Sequence, residues 1–368
     1  MENAKKSYDV IIIGGGPAGI ATAITLSSQG ISHCIVEAKV EPTRKLGEAI
    51  PPNAKPLLKK LGIQHLLEDK QHIAYYGNKS CWGNNQIEQK EFIKGIHGQG
   101  YLLDRLYFEK QLRNQVLHSC TQCLFGYKLK KVISTDKGVT VIIENDSENK
   151  TLSAKYIVDA TGRKATVSKQ LGGIKQNLDN QFAIVINASL SVPISHQIIV
   201  EATKNGWWYM APQETKELSL MFFTEQTMLR DKTQYADFLL KELEHTLHIS
   251  EYTTRAQLNF EGLKIMPAGT SKLDRPFGEN WIAVGDAAIT FDPISSYGIT
   301  SALASGYYAG HALISAIDNK SDAMLAYNYL LDSAFQIYME KLHTQYSLES
   351  RWENSKYWIT KHKVLVNS

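Results

Sequence analysis

Cysteine is scarce in this chain, with Cys34, Cys81, Cys120 and Cys123 the four among 368 residues. So few thiols exclude a disulfide-stapled scaffold and suit a reducing, cytoplasmic setting. Cys120 and Cys123 have C-x-x-C spacing, but a zinc site needs four ligands and a redox pair needs a thioredoxin-like context. Neither accompanies them, so no metal site is expected. Excess charge is also missing: 40 Lys+Arg against 37 Asp+Glu leaves +3. That field is too weak for nucleic-acid binding driven by bulk charge. Internal repeats and low-complexity tracts are absent. Apolar residues are not lacking, and at 43% they exclude general disorder. The length suits two domains, or one large domain with an insertion.

The most informative lack is local. From Val10 to Ile35, 26 residues, there is no Asp, Glu, Lys or Arg. Charge alone would read this run as a signal peptide or a membrane span. Gly14, Gly15, Gly16 and Pro17 stand in its middle, where such a helix must be whole. No other stretch is long and apolar enough to span a bilayer. Tyr8–Ile13 instead has the β-branched character of a buried parallel strand. Gly14, Gly16 and Gly19 follow in G-x-G-x-x-G spacing, then a small-residue helix over Ile20–Gln29 and a second strand over His33–Val36. Gly14 permits the tight turn, Gly16 lets backbone approach a pyrophosphate, and Gly19 lets helix pack on strand. Pro17 and Ala18, in the same turn, join the glycines as cofactor-binding candidates, and the N-terminus of the helix faces the phosphates. Glu37, 18 residues past Gly19, stands where an acid accepts ribose hydroxyls. Its charge disfavours a 2′-phosphate, leaving FAD or NAD rather than NADP.

Two later segments choose FAD. Tyr156–Arg163 is a strand running into Asp159 and Gly162. Trp281–Ala288 is another, ending at Gly285 and Asp286, then Asp292, Pro293, Gly298 and a helix over Ile299–Ile317. Asp286 is placed to accept from a ribose or ribityl hydroxyl. The helix start at Gly298 and Ile299 suits negative charge on a reduced flavin. This three-part set resembles the FAD signature of the aromatic hydroxylase and flavin-dependent halogenase superfamily. The resemblance implies a Rossmann-like FAD-binding domain of the glutathione-reductase type. Arg44, in Arg44–Pro52, and Arg105, in Leu103-Asp104-Arg105, are its implied flavin or phosphate contacts.

Ser80–Gly83, Gly206-Trp207-Trp208-Tyr209 and the late Glu349–Trp352 and Tyr357-Trp358 resemble a narrower group. It comprises the tryptophan-modifying flavoproteins that mature lysine oxidase and quinohemoprotein amine dehydrogenase. Tryptophan halogenases carry a glutamate two residues after the Asp-Pro-like proline, and here Ser295 stands there. Lys79, three residues before Trp82, does not match their lysine's spacing. Losing the acid moves halogenation to second place.

The overall expectation is an α/β fold: FAD-binding segments over 1–73, 100–175 and 269–321, with a substrate domain over 74–99 and 176–268. That domain is an inserted antiparallel sheet, with strands over Phe182–Val192, Gln197–Ala202, Trp207–Pro212, Leu218–Thr224 and Gln257–Met266, and a helix over Gln234–Leu247. Residues 322–368 form a helical cap. Strand alternation puts Trp207 and Tyr209 on one face and Trp208 on the other. Trp207, Tyr209, Ser295 and Ser296 are the candidates lining the reaction site. The resemblance implies an FAD-dependent monooxygenase that uses O2 and a flavin hydroperoxide to hydroxylate an aromatic, indole-like group. The substrate is a small molecule or a group in a peptide or protein. No second dinucleotide fingerprint occurs, so NAD(P)H binds transiently or a flavin reductase supplies electrons. A halogenase and a geranylgeranyl-reductase-type oxidoreductase are the alternatives.

Overall fold

The computed structural model describes residues 6–43, 45, 47–92, 95–117, 122–190, 196–214, 216–228, 235–320 and 322–366. An eight-stranded sheet carries the first fingerprint. Its strands run Phe277–Gly278, Trp281–Ala283, Asn149–Asp159, Lys6–Ile13, His33–Glu37 and Gln122–Phe125, with the hairpin Lys128–Thr135 and Gly138–Glu144 attached to Asn149–Asp159. Neighbours from Trp281–Ala283 to Gln122–Phe125 are parallel. Register aligns Ile13 with Asp159 and Val36, and Asp159 with Ala283. The carboxyl ends of the strands bearing the three motifs therefore lie at one edge of one sheet, where such sheets bind ligands.

The uncharged run is thereby explained. Val10–Ile13, the helix Pro17–Ser27 and His33–Glu37 are buried almost throughout. Gly14, at φ +114°, makes the turn between strand and helix, and a Cβ there would overlap the Ala160 carbonyl. The helix Gly298–Ile317 packs along Pro17–Ser27. A Cβ at Gly306 would collide with the Ala18 carbonyl, so two small-residue helices approach closely. That contact seats Gly306, eight residues into its own helix, against the first turn of Pro17–Ser27. The first helix begins at Pro17, three residues before the sequence reading, because proline suits the first helical position.

A seven-stranded sheet runs Ala256–Pro267, Gln181–Leu190, Glu217–Glu225, Gly206–Glu214, Ile198–Thr203, Gly77–Cys81 and Glu88–Glu91. It is antiparallel except between Ile198–Thr203 and Gly77–Cys81, which are parallel. Gly77–Cys81 enters from a remote part of the chain and so can join in either direction. Of the expected helix over Gln234–Leu247, Gln234 lies outside the described residues and the helix Tyr235–Glu244 ends three residues early, with Ser250–Thr253 following as a separate turn. Asp322–Ser347 and Lys356–Val366 are the final helices. Among the described residues no helix is long and apolar enough to cross a membrane, and no group of three His, Cys, Asp or Glu is arranged to hold a metal. Among the described residues Cys34, Cys81 and Cys123 form no disulfide with one another, and Cys120 lies outside the described residues.

Candidate flavin-binding site

A cavity of about 940 Å³ opens along the aligned strand ends and continues beneath the seven-stranded sheet. Gly14, Gly16, Pro17, Ala18 and Glu37 line its first part. A Cβ added at Gly16 would point toward Lys45 Nζ, 3.6 Å away, and one at Gly162 or Gly298 would meet nothing within 4 Å. These glycines present bare backbone to open space, whereas Gly19 is packed against the Gly14 carbonyl and lies outside the lining. The N-termini of Pro17–Ser27 and Gly298–Ile317 both open on the cavity, and each carries partial positive charge.

Glu37 ends its strand with both carboxylate oxygens in place. Oε2 accepts the Gly15 N–H at 2.7 Å and Oε1 accepts the Lys39 N–H at 2.9 Å. An ionised carboxylate keeps further lone pairs for hydroxyl donors. Arg105 Nη2 donates to Glu109 Oε1 at 2.7 Å, and Lys45 Nζ donates to Glu109 Oε2 at 2.9 Å. Burial raises the Glu109 carboxyl, but Arg105 and Lys45 outweigh it and hold it below the usual range. Two cations thus share one buried anion, leaving positive charge at the groove. Sequence reading chose Arg44, which lies outside the described residues, and missed Lys45 beside it. Its distinguishing signal is long range: the partner Glu109 is 64 residues away.

Asp286 lines the cavity, with Arg163 Nε 3.7 Å from its Oδ2. Lys175 donates to the Asp286 carbonyl, and burial pulls its ammonium down to about 8. Gly285 holds a left-handed turn behind Asp286 against Ala18 and Ala302, outside the lining. Asp159 is a correction. It is fully buried, with Oδ1 bonded to Thr161 and Oδ2 to the Ser168 N–H and hydroxyl, so it shapes the loop around Gly162 and has no face on the cavity.

The far end is apolar. Tyr209, Met221, Phe223 and Phe291 line it with Pro293, Ser296 and Ile299. Burial first, then Glu48 and Tyr75, push the Tyr209 phenol well above its ordinary value, which keeps it protonated. Trp207 shares the face of Tyr209, and Trp208 packs on the other face, as strand alternation requires. Trp207 is nevertheless a second correction. It stacks on Phe223 at 3.9 Å and donates to Tyr346 Oη at 3.1 Å, so it lies behind the cavity wall. Ser295 is a third. Its hydroxyl donates to the Asp292 carbonyl at 2.7 Å and stays within the turn, while Ser296, at φ +54°, lines the cavity. Asp292 also reaches the wall, but its carboxylate is consumed by Ile294 N–H, Gln181, Tyr346 and Lys361.

An open glycine backbone, two helix N-termini, an acid at the ribose position and excess positive charge between them fit a dinucleotide such as FAD. The chain matches the FAD binding domain family over residues 7–332. It is 28% identical over 365 residues to the putative FAD-dependent oxidoreductase LodB of Marinomonas mediterranea, covering 97% of each chain. The flavin-dependent halogenase CmlS has a similar structure, with TM-score 0.86 at 21% identity, covering 100% of this chain and 70% of that one. So does QhpG, a peptidyl tryptophan dihydroxylase essential for tryptophylquinone cofactor biogenesis. Its TM-score is 0.75 at 20% identity, covering 96% of this chain and 78% of that one.

Proposed function

Because the chain belongs to the FAD binding domain family and is an FAD-dependent oxidoreductase, we propose that it is a monooxygenase hydroxylating an indole-like ring, carried by a peptide or protein. One observation carries this reading: the apolar end of the cavity offers no free acid or base. Among the described lining residues there, Tyr209 is held protonated and the Asp292 carboxylate is fully bonded. A ring that needs no side chain to activate it, because it is already electron-rich, suits such a wall. Bound FAD, when reduced, supplies the activation of O2 that these side chains do not.

In this reading the Gly14–Gly19 turn and the Pro17 helix hold the pyrophosphate, with Lys45 and Arg105 balancing its charge. Glu37 accepts from the adenosine ribose and Asp286 from the flavin's polyol chain. Pro293, Ser296, Gly298 and Ile299 border the ring system. Tyr209 donates a hydrogen bond, while Met221, Phe223 and Phe291 exclude water and stack the substrate ring. Residues 74–99 and 176–268 serve as the substrate domain, closed by the helical cap 322–368. QhpG, a peptidyl tryptophan dihydroxylase, is a precedent for a peptide-borne indole. The setting is the cytoplasm, where NAD(P)H or a flavin reductase delivers electrons.

The test is oxygen transfer from isotopically labelled dioxygen to tryptophan-containing peptides, with FAD and a reductase present. Label in the ring is the expected result. A halogenated product that requires halide would transfer the assignment to the halogenase reading. Anaerobic reduction of an isoprenoid double bond would transfer it to the reductase reading.

A further inference from the structure

Lys361 is a buried cation for which flavin binding and ring stacking have no use. It lies on the helix Lys356–Val366 with its side chain 3% exposed. Its Nζ donates to Asp292 Oδ2 at 3.0 Å and stands 3.5 Å from Asp179 Oδ2. Tyr346 Oη donates to the same Asp292 oxygen at 2.9 Å, and Gln181 Nε2 does so at 3.1 Å. Tyr357, on the lysine's own helix, donates to Gln181 Oε1 at 2.7 Å.

These partners occupy the places where the chain passes between the sheets and the cavity. Asp179 and Gln181 stand where the chain enters the seven-stranded sheet. Thr270, whose N–H donates to Asp179 Oδ2 at 3.2 Å, stands where it returns. Asp292 begins the turn bordering the apolar end, and its Oδ1 caps that turn by accepting the Ile294 N–H at 3.0 Å. One ammonium from the C-terminal helix therefore ties both crossings to the cavity loop.

Burial disfavours the ammonium, and the flanking Asp179 and Asp292 outweigh burial and hold it charged. An apolar side chain of similar volume would dock the helix at least as firmly. What the charge adds is direction and electrostatic balance. Lys361 offsets part of the negative charge that Asp179 and Asp292 place beside the loop, where Glu225 is also coupled to it, and without the lysine that compensation is lost.

We propose that Lys361 is a positioning residue for the cofactor, latching the C-terminal helix to Asp292 so that the 292–298 loop keeps its shape and its negative charge is moderated. The proposal rests on FAD binding alone, so it survives or fails independently of the hydroxylation reading.

The experiment measures FAD affinity and the flavin midpoint potential in full-length Lys361→Met, Lys361→Arg and Asp292→Asn proteins. Lys361→Met should weaken FAD binding by about tenfold and move the potential negative, since the reduced anion then faces more negative charge. Asp292→Asn removes one negative charge, keeps Lys361 balanced by Asp179, and should move the potential positive. Lys361→Arg should recover most of the affinity. General loosening would move both potentials the same way, so shifts of one sign, or no shift, overturn the proposal. If Lys361→Met does not fold, the Asp292→Asn and Lys361→Arg proteins decide alone: a positive shift in the first with near-native affinity in the second supports the latch, and any other pair of results overturns it.

Discussion

Glu48 is 4% exposed, and its Oε1 has no hydrogen-bond partner among the described residues. Burial raises its carboxyl above the ordinary value, with Gln213 and Arg105 only partly opposing. A carboxyl that burial biases toward its neutral form thus stands beside Tyr209, and in its ionised form it raises that phenol further. The linkage has a definite sign. The native state holds this proton more tightly than the unfolded chain does. The stability it contributes is fully present below the unfolded value of 4.5 and is lost as pH rises through the raised native value. Glu48→Gln supplies a permanently neutral side chain of nearly the same shape. Denaturant melts from acid to neutral pH should show the wild type losing stability relative to this variant, with the two within about 1 kcal/mol at the acid end. Parallel curves would mean that Glu48 is ionised in the native protein.

At the scale of the element, the glycine turn separates folding from binding. Gly14 is at φ +114° and a Cβ there would overlap the Ala160 carbonyl, so Gly14→Ala should cost about 2–3 kcal/mol of stability. Gly16 has ordinary space around it, with Lys45 Nζ 3.6 Å from an added Cβ. Gly16→Ala should melt near the wild-type temperature without FAD yet bind FAD at least about tenfold more weakly, a loss of about 1.4 kcal/mol. Thermal scans of the apoprotein and flavin-fluorescence titration distinguish the two losses. This turn was readable because strand, glycines, helix and acid follow one another within a short stretch of chain. The same local order revealed Asp286 and Gly298. What escaped were roles set by long-range pairing. Asp159 has the look of a cofactor ligand in its strand, but Ser168 captures its carboxylate. Trp207 has the right strand face, but whether that tryptophan or Tyr209 meets the cavity depends on Phe223 and Tyr346 stacking and bonding from elsewhere. Alternation gives the face of a side chain and not its depth.

Over the whole molecule, the C-terminal helices join two cores. Met324, Tyr327 and Leu331, early in Asp322–Ser347, are buried in the core of the eight-stranded sheet. Tyr338, Leu342 and Tyr346, later in the same helix, are buried with Trp82, Trp207 and Phe223 of the seven-stranded sheet. A 26-residue helix is about 39 Å long, enough to serve as a strut across both. Trp358 closes the second core: it is fully buried, donates to the Thr203 carbonyl at 2.9 Å, and lies edge-on to Trp82 with ring centroids 5.4 Å apart. Shared burial of this kind couples the two sheets, so calorimetry of the wild type should show one cooperative transition. Trp358→Ala removes the largest side chain from the joint and should cost about 3–5 kcal/mol in that core. The loss falls on the seven-stranded sheet and its helices, while Pro17–Ser27 and Gly298–Ile317 stay packed on the other sheet. The variant's calorimetric trace should then split in two, with added FAD raising the upper transition far more than the lower, because only the state that binds ligand is stabilised by it. A single transition that merely moves to lower temperature would show that the sheets are coupled through their own contacts, without need of the C-terminal strut.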